Sequence, residues 1–419
     1  MRGKEVTFVL FGGTGDLAKT KLVPSISNLL YKGKISSNST IIGLSRKDFT
    51  SEKYKEFLID SVKGKKHKDN IKKLNIKFLK LDFAKEKLTA LKELMIKCDI
   101  EGCNRIYYLA TGFKFFPEIV KKLKEEILEK SKKGFTRIVF EKPFGHDLRS
   151  SINLSKKILH FFPEKEVFCL DHYLAKENVM NIELLKSNPN FNKTFNNKFV
   201  SSIEIIVDEK EGVGNRMEFY NNTGALKDMV QSHLLQLLSI LLSKNPVSSS
   251  KKIEVLKNIE LFDAKDNLFG QYQSYKKEAI KTGLNPKKIE TFVNIELNCK
   301  LKEWEGVKLN LRTGKKLKNK LSQIIIHYKK DANISKNKFI INVFPKKDII
   351  FMGKKISHNE EFNDEYSFLL SKCIDGDKKL FVEKDEIEQS WKIISKIEKM
   401  KDKIKFVYYK ENQEVQKIA

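Results

Sequence analysis

Gly12-Gly13-Thr14-Gly15-Asp16-Leu17-Ala18 stands between an apolar, β-branched run and a longer amphipathic one. Glycine at such a turn lets backbone approach a pyrophosphate, and the N-terminus of the following helix favours its charge. A plain strand-to-helix turn is the simpler reading, but a place after the first strand of a βα series points to a cofactor. Ser45-Arg46-Lys47 follows Thr40-Ile41-Ile42-Gly43-Leu44, where an NAD site usually offers Asp or Glu to the ribose 2′-hydroxyl. Arg46 suits a 2′-phosphate instead, with Ser45 as a donor and Lys47 as added charge, so NADP is expected over NAD. His172, Tyr173 and Lys176 follow another short apolar run. If they open a helix, Lys176 lies beside both of the others. An imidazole, a phenol and a cation at a helix N-terminus suit a phosphate dianion, a solvated polar face being the plainer reading. His233 lies in the strongly apolar stretch Gly224 to Leu242. Histidine is the side chain best tuned for proton transfer near neutral pH, although pattern alone makes it equally a satisfied core residue.

The elements that must hold these groups divide into two styles. Short runs at Val6 to Phe11, Thr40 to Leu44, Ile76 to Leu81, Arg105 to Ala110, Thr136 to Glu141 and Glu166 to Leu170 alternate with amphipathic stretches, the first being Asp16 to Tyr31. That is the pattern of a parallel sheet with crossover helices. Beyond about residue 200 come longer alternating strands at Val200 to Val207, Thr291 to Leu297, Gly306 to Arg312 and Gln323 to Tyr328. They lack regular helices between them and predict a largely antiparallel sheet. Helices are expected over Gly224 to Leu242, Asn363 to Cys373 and Lys384 to Lys399. The fold class is therefore α/β followed by α+β: a Rossmann-type dinucleotide-binding domain over residues 1–170 and a substrate-binding domain over 171–419.

Composition excludes other classes. The 419 residues are 40% hydrophobic and include 29 Phe, enough for two cores. No apolar run approaches the roughly 18 residues of a membrane helix. The apolar N-terminal run passes into Gly12-Gly13 without a small-residue cleavage site, so no export is expected. Cys98, Cys103, Cys169, Cys299 and Cys373 are scattered without metal-ligand spacing, which predicts reduced thiols, no metal and a cytoplasmic protein. The net charge of +27 raises a nucleic-acid partner. Yet Arg2, Arg46, Arg105, Arg137, Arg149, Arg216 and Arg312 are the only arginines, and base or phosphate readers favour the arginine fork. A lysine-loaded surface is the reading, with no nucleic-acid or membrane partner.

Five motifs resemble the glucose-6-phosphate dehydrogenase family, in its order and at similar separations. They are Gly12-x-x-Gly15-Asp16-Leu17-Ala18-Lys19-x-Lys21, Glu141-Lys142-Pro143-Phe144-Gly145, and Asp171-His172-Tyr173-Leu174-Ala175-Lys176-Glu177. The others are Asp228-Met229-Val230-Gln231-Ser232-His233-Leu234-Leu235-Gln236, and Trp304-Glu305-Gly306-Val307 with Leu311-Arg312-Thr313-Gly314-Lys315. The resemblance implies oxidation of D-glucose 6-phosphate to 6-phospho-D-glucono-1,5-lactone with reduction of NADP, the first step of the oxidative pentose phosphate pathway. It implies His233 as the base and Asp171 as the carboxylate that orients it. His172, Tyr173 and Lys176 would hold the 6-phosphate, while Lys142, Glu209, Asp228 and Lys315 would hold the sugar. Lys21 would reach between coenzyme and substrate, and Lys142 would serve both. Gly12, Gly13, Thr14, Gly15, Asp16, Leu17 and Arg46 would hold the coenzyme. A homodimer through the C-terminal sheet is implied too.

The chain also departs from the family. Thr111-Gly112-Phe113 replaces a usual Pro-Pro pair, Ala175 a usual glycine, and Phe344 a polar sugar contact found in some members. Two alternatives stay open: another Rossmann-type sugar oxidoreductase, or a non-catalytic member that binds NADP or the sugar phosphate.

Overall fold

The structure is a computed structural model that describes residues 3–98, 104–127, 134–330, 337–345, 349–356, 364–415 and 418. It divides into two compact units. The first comprises Met1–Gly145, Arg149–Ala175 and Glu361–Glu383.

In the first unit, strands β1 (Val6–Phe11), β2 (Thr40–Ser45), β3 (Asn75–Lys80), β4 (Asn104–Leu109), β5 (Thr136–Phe140) and β6 (Val167–Leu170) form one parallel sheet. Their spatial order is β6-β5-β4-β1-β2-β3, with the short strand Phe381–Val382 added antiparallel beyond β6. This is the doubly wound order, in which the chain reverses direction across the sheet between β1 and β4. All six residues of β1 are buried, as expected of a parallel strand covered on both faces. Val9 lies level with Ile42 of β2 and Tyr107 of β4. The expected strands hold within a residue or so.

The segment from far along the chain is built into this core. Tyr366, Leu369, Leu370, Cys373 and Ile374 of helix Glu365–Asp375 share one buried cluster with Phe8, Leu10, Tyr108 and Phe168. Asp364 caps that helix by accepting from Ser367 N at 2.8 Å, and it also takes Ser25 Oγ at 3.0 Å and Asn28 Nδ2 at 3.1 Å. Asn363, the expected first residue of this helix, lies outside the described residues. Phe381 meets Phe168 edge-to-face with ring centroids 4.8 Å apart.

The second unit holds His146–Leu148, Lys176–Glu360 and Lys384–Ala419. Its strands are β7 (Val200–Asp208), β8 (Ile259–Leu261), β9 (Leu268–Tyr272), β10 (Phe292–Cys299), β11 (Lys308–Gly314), β12 (Leu321–Tyr328) and β13 (Lys338–Phe344). They run β13-β12-β7-β11-β10-β9 with Lys405–Tyr409 at the far edge and β8 beside β10. Pairing is mainly antiparallel; β7 with β11, and β9 with Lys405–Tyr409, are parallel. In β12 every second residue is buried, the signature of a sheet covered on one face. The sequence does not predict the short strands β8 and β9 or helices Ser249–Lys257 and Tyr275–Lys281, because each is too brief to establish a period.

Two expected helices differ in winding. Asp16 to Tyr31 is helical from its first residue: Asp16 and Leu17 are α-helical, Ala18–Leu22 is π-helical and Val23–Tyr31 is α-helical. Gly224 to Leu242 is π-helical over Leu226–Leu234 and α-helical over Leu235–Leu242. Every residue of the latter is buried, so it is a core helix without a polar face. Its C-terminal end is tied down by Trp304, whose Nε1 donates to Leu242 O at 3.0 Å, and by Lys186, whose Nζ donates to Ile240 O at 2.8 Å and to Ser243 O. Burial pushes the Lys186 ammonium down to about 7.

Candidate active site

In the first unit the proposed coenzyme groups leave the sheet at the carboxyl ends of adjacent strands. Phe11 and Leu44 are level in the parallel β1–β2 pair, so the glycine loop and Ser45-Arg46-Lys47 emerge side by side. Gly12 N and Gly13 N both donate to Leu44 O at 3.0 Å, which folds the loop over the end of β2. A Cβ on Gly13 would stand 2.8 Å from Tyr54 Oη and 2.9 Å from Gly43 Cα, so no larger residue fits there. Gly15 N closes the turn on Gly12 O at 2.9 Å, and Lys19 N bonds Gly15 O at 3.1 Å. Thr14 and Leu17 are partly buried, Gly15 and Asp16 are exposed, and Ala18 is buried against the sheet. A strand end, a tight glycine turn and a helical N-terminus together make a cradle that fits a pyrophosphate. Arg46 and Lys47 are exposed, and Ser45 Oγ accepts from Lys47 N at 3.1 Å.

Further along the same sheet edge, β5 delivers Glu141 and Lys142, and the Lys142-Pro143 peptide is cis. Tyr108 Oη donates to Glu141 Oε1 at 2.5 Å, and Tyr366 hydrogen-bonds the same carboxylate. Burial pushes the Glu141 carboxyl up to about 7, against the pull of its two phenol donors and Lys142. Strand β6 delivers Asp171, which is 2% exposed. Its Oδ1 accepts from Tyr173 N at 3.0 Å, and its carbonyl accepts from Leu174 N at 3.1 Å, so Asp171 caps the next turn. His172 and Tyr173 lie in that single 3₁₀ turn, His172–Ala175. Lys176 does not continue it. It stands at the N-cap of helix Glu177–Ser187, in extended conformation. The expectation of one helix carrying all three residues is therefore corrected: the Asp171 cap tightens the chain into a 3₁₀ turn, which ends before the α-helix begins. Lys21 is exposed, its ammonium 5.9 Å from the Tyr366 ring centroid.

In the second unit, Gly314 and Asp208 are level in the parallel β7–β11 pair, so Glu209 and Lys315 leave the sheet together. Their side chains pair at 2.5 Å, and Lys315 is 7% exposed. One residue earlier on β7, Asp208 pairs with Arg312 at 2.9 Å. Asp228 is buried, and the Arg216 guanidinium grips both of its oxygens at 3.0 and 3.2 Å. A carboxylate offers about four acceptor positions, so Glu209 and Asp228 keep capacity for further donors.

His233 is 1% exposed in the π-helical stretch that also carries Asp228. A π-helix bonds residues five apart, so the backbone positions of Asp228 and His233 stack about one turn apart. On an α-helix, five residues would set them about 140° apart. Two residues ahead of the stretch stands Gly224, whose φ is +69°. A Cβ there would stand 2.4 Å from Glu290 Oε1. Glu290 is itself buried, pairs with Lys401 at 2.7 Å and accepts from Leu226 N at 3.4 Å. Gln231 Nε2 donates to Ser390 Oγ at 2.8 Å, anchoring the stretch to helix Lys384–Lys399.

Residues 9–181 match the family model described as "Glucose-6-phosphate dehydrogenase, NAD binding domain", and residues 183–417 match "Glucose-6-phosphate dehydrogenase, C-terminal domain". The chain belongs to the glucose-6-phosphate dehydrogenase family. Among members of that family, glucose-6-phosphate 1-dehydrogenase of Borreliella burgdorferi is 32% identical over 437 residues, spanning 93% of this chain and 90% of that protein. The Bacillus subtilis enzyme of the same name is 31% identical, spanning 94% and 91%. A solved structure described as glucose-6-phosphate dehydrogenase in complex with its substrate glucose-6-phosphate aligns with a TM-score of 0.87 and 25% identity, covering 99% of this chain and 96% of that one. A 3-ketoreductase from Actinomadura kijaniata aligns at a TM-score of 0.54 with 11% identity over 97% of this chain and 100% of that one, which shows a shared fold alone. The glucose-6-phosphate dehydrogenase resemblance carried by the five motifs is borne out, and the family's first domain implies a nicotinamide coenzyme.

Three groups, two in the first unit and one in the second, contact the expected site residues but do not stand out as site residues in the sequence. Arg216 and Glu141 lie in or beside the motifs, and their signal is a charged residue within reach of a named carboxylate or lysine. Tyr366 gives no signal, since its partners lie about two hundred residues or more away in sequence.

Proposed function

We propose that the chain oxidises D-glucose 6-phosphate to 6-phospho-D-glucono-1,5-lactone with NADP as hydride acceptor. The observation that carries this reading is the glycine loop and Arg46 leaving adjacent parallel strands side by side, in a chain of this family. Gly12, Gly13, Thr14, Gly15, Asp16 and Leu17 hold the pyrophosphate, and the exposed Arg46 pairs with the ribose 2′-phosphate. When bound, the nicotinamide supplies the site with a hydride acceptor.

The protein's own part is to hold the sugar and move a proton. His233 takes the C1 hydroxyl proton as the C1–H bond breaks and the C1=O bond forms. Its burial keeps the imidazole away from competing water. Asp171 orients that ring and balances its charge once protonated. His172, Tyr173 and Lys176 hold the 6-phosphate. Glu209 and Asp228 accept from ring hydroxyls while Lys315 and Arg216 hold the two carboxylates in place. Lys142 donates to sugar hydroxyls near the nicotinamide, and Lys21 reaches between coenzyme and substrate.

The test is the rate of NADP reduction with glucose 6-phosphate, wild type against His233→Asn. Loss of a general base lowers the rate by roughly 10²–10⁴. Equal rates in the two proteins would remove His233 from the mechanism, and a folded wild type that turns over no hexose phosphate would remove the reaction.

We further propose a homodimer formed through the C-terminal sheet, which a monomer in sedimentation at working concentration would exclude. A reducing, cytoplasmic setting is supported by Cys169, Cys299 and Cys373, all buried free thiols. No described helix is long and apolar enough to cross a membrane.

A further inference from the structure

Tyr366 is buried, 7% exposed, in the first turn of helix Glu365–Asp375. That turn is held firmly, since its cap Asp364 takes four bonds, one each from Ser25 and Asn28 and two from Ser367. From this fixed start the phenol touches three separate segments of the first unit. Its hydroxyl hydrogen-bonds the Glu141 carboxylate, which also takes the Tyr108 hydroxyl. Its ring lies nearly parallel to the His172 imidazole, 18° between planes and 6.3 Å between centroids. The Lys21 ammonium stands 5.9 Å from the same ring centroid. A residue placed only to fill the core would need neither the hydroxyl nor the exposed cation over its face.

We propose that Tyr366 is a positioning residue for the sugar-phosphate end of the reaction: its ring sets the plane of His172 and holds Lys21, and its hydroxyl fixes the Glu141 carboxylate beside Lys142. The inference rests on the proposed function for the roles of His172, Lys21 and Lys142. Physically, a stacked imidazole keeps its ring nitrogens aimed in one direction, so the phosphate meets a donor already oriented. A cation over an aromatic face is likewise confined. The groups facing Glu141 are Tyr108 from β4, Tyr366, Asp171 from the end of β6 and the adjacent Lys142. Burial and Asp171 favour the neutral acid, whereas the two phenols and Lys142 favour the carboxylate. Removing one phenol therefore moves the Glu141 ionisation to higher pH.

Two variants separate the two roles of Tyr366. Tyr366→Phe keeps the ring and loses the hydroxyl; Tyr366→Leu loses both. For Tyr366→Phe the expected result is a kcat lower by about tenfold at neutral pH, the size of one hydrogen bond to a charged group. KM for glucose 6-phosphate stays within about twofold, and the acid limb of kcat moves to higher pH. In Tyr366→Leu, KM also rises by about tenfold, the upper range of an aromatic pair contact. Activity lost only in proportion to the folded fraction, with KM and the acid limb unmoved, overturns the proposal. If Tyr366→Leu does not fold, the acid limb of Tyr366→Phe decides alone. Calorimetric titration with glucose 6-phosphate repeats the comparison without turnover. A wild type that binds but does not react sinks the proposed reaction, and the affinity ratio of Tyr366→Leu to wild type still decides on Tyr366. A wild type that neither binds nor reacts overturns both.

Discussion

Arg46 shows how much a single exposed side chain is asked to do. It follows β2 directly, has no ion-pair partner among the described residues, and stands next to the loop that cradles the pyrophosphate. A guanidinium that meets a phosphate through paired hydrogen bonds discriminates by charge and by geometry together. Arg46→Ala should raise KM for NADP by about 10–100-fold, the equivalent of losing a hydrogen bond to a charged group, while changing KM for NAD little. Initial rates with each coenzyme check this; equal losses with both would place Arg46 outside the 2′-phosphate site. Arg46 is legible in the sequence because its meaning depends on neighbours along the chain, the strand just ahead of it and the missing acid. Glu141 and Tyr366 are not legible in that way. The ionisation of Glu141 depends on Tyr108 and Tyr366, which reach it from elsewhere in the chain.

At the scale of elements, the helix bearing His233 is positioned by what ends it. Its continuation, Leu235–Leu242, is buried on every side, so packing alone leaves its rotation and axial position loosely determined. Polar anchors supply that determination: Glu290 at the start, Gln231 with Ser390 within, Lys186 and Trp304 at the end. Gly224 lets the start close onto Glu290. Gly224→Ala imposes a Cβ at a φ of +69° and against that carboxylate. It should lower stability by about 1–3 kcal/mol, read by urea unfolding. The surviving folded enzyme should also lose kcat, because the helix start carries Asp228 and His233 with it. Unchanged kcat in folded protein would mean that the strain is absorbed before Asp228. The helix itself is legible from its run of leucines, but its π-helical winding is not. Leu226–Leu234 intersperses Lys227, Asp228, Gln231, Ser232 and His233 with apolar residues over too few positions to separate one helical period from another, and only the backbone reveals that residues five apart are stacked.

For the whole molecule, chain order and spatial order part company. The doubly wound sheet is legible from the alternation of strands and amphipathic runs, as is the antiparallel sheet from its long alternating strands. The return of Glu361–Glu383 to the first unit is not, since Phe381 pairs with Leu170 across more than two hundred residues. That return has an energetic meaning, because Tyr366, Leu369, Leu370 and Phe381 are part of the first unit's buried cluster. A fragment ending at Ala175 should therefore be unstable alone. Joining residues 361–383 to it through a flexible linker should restore cooperative unfolding and NADP binding, measured by circular dichroism and coenzyme fluorescence. A stable, coenzyme-binding fragment without that segment would show the return to be dispensable. The edge of β6 has a further consequence, in time rather than in energy. At about 5–20 residues per second, a ribosome needs roughly 10–40 s to pass from Ala175 to Glu361. Throughout that interval the nascent sheet lacks its last strand, with Phe168 uncovered and the edge of β6 open to any other extended chain. The nucleotide-binding half thus cannot be finished until residues 361–383 have been translated.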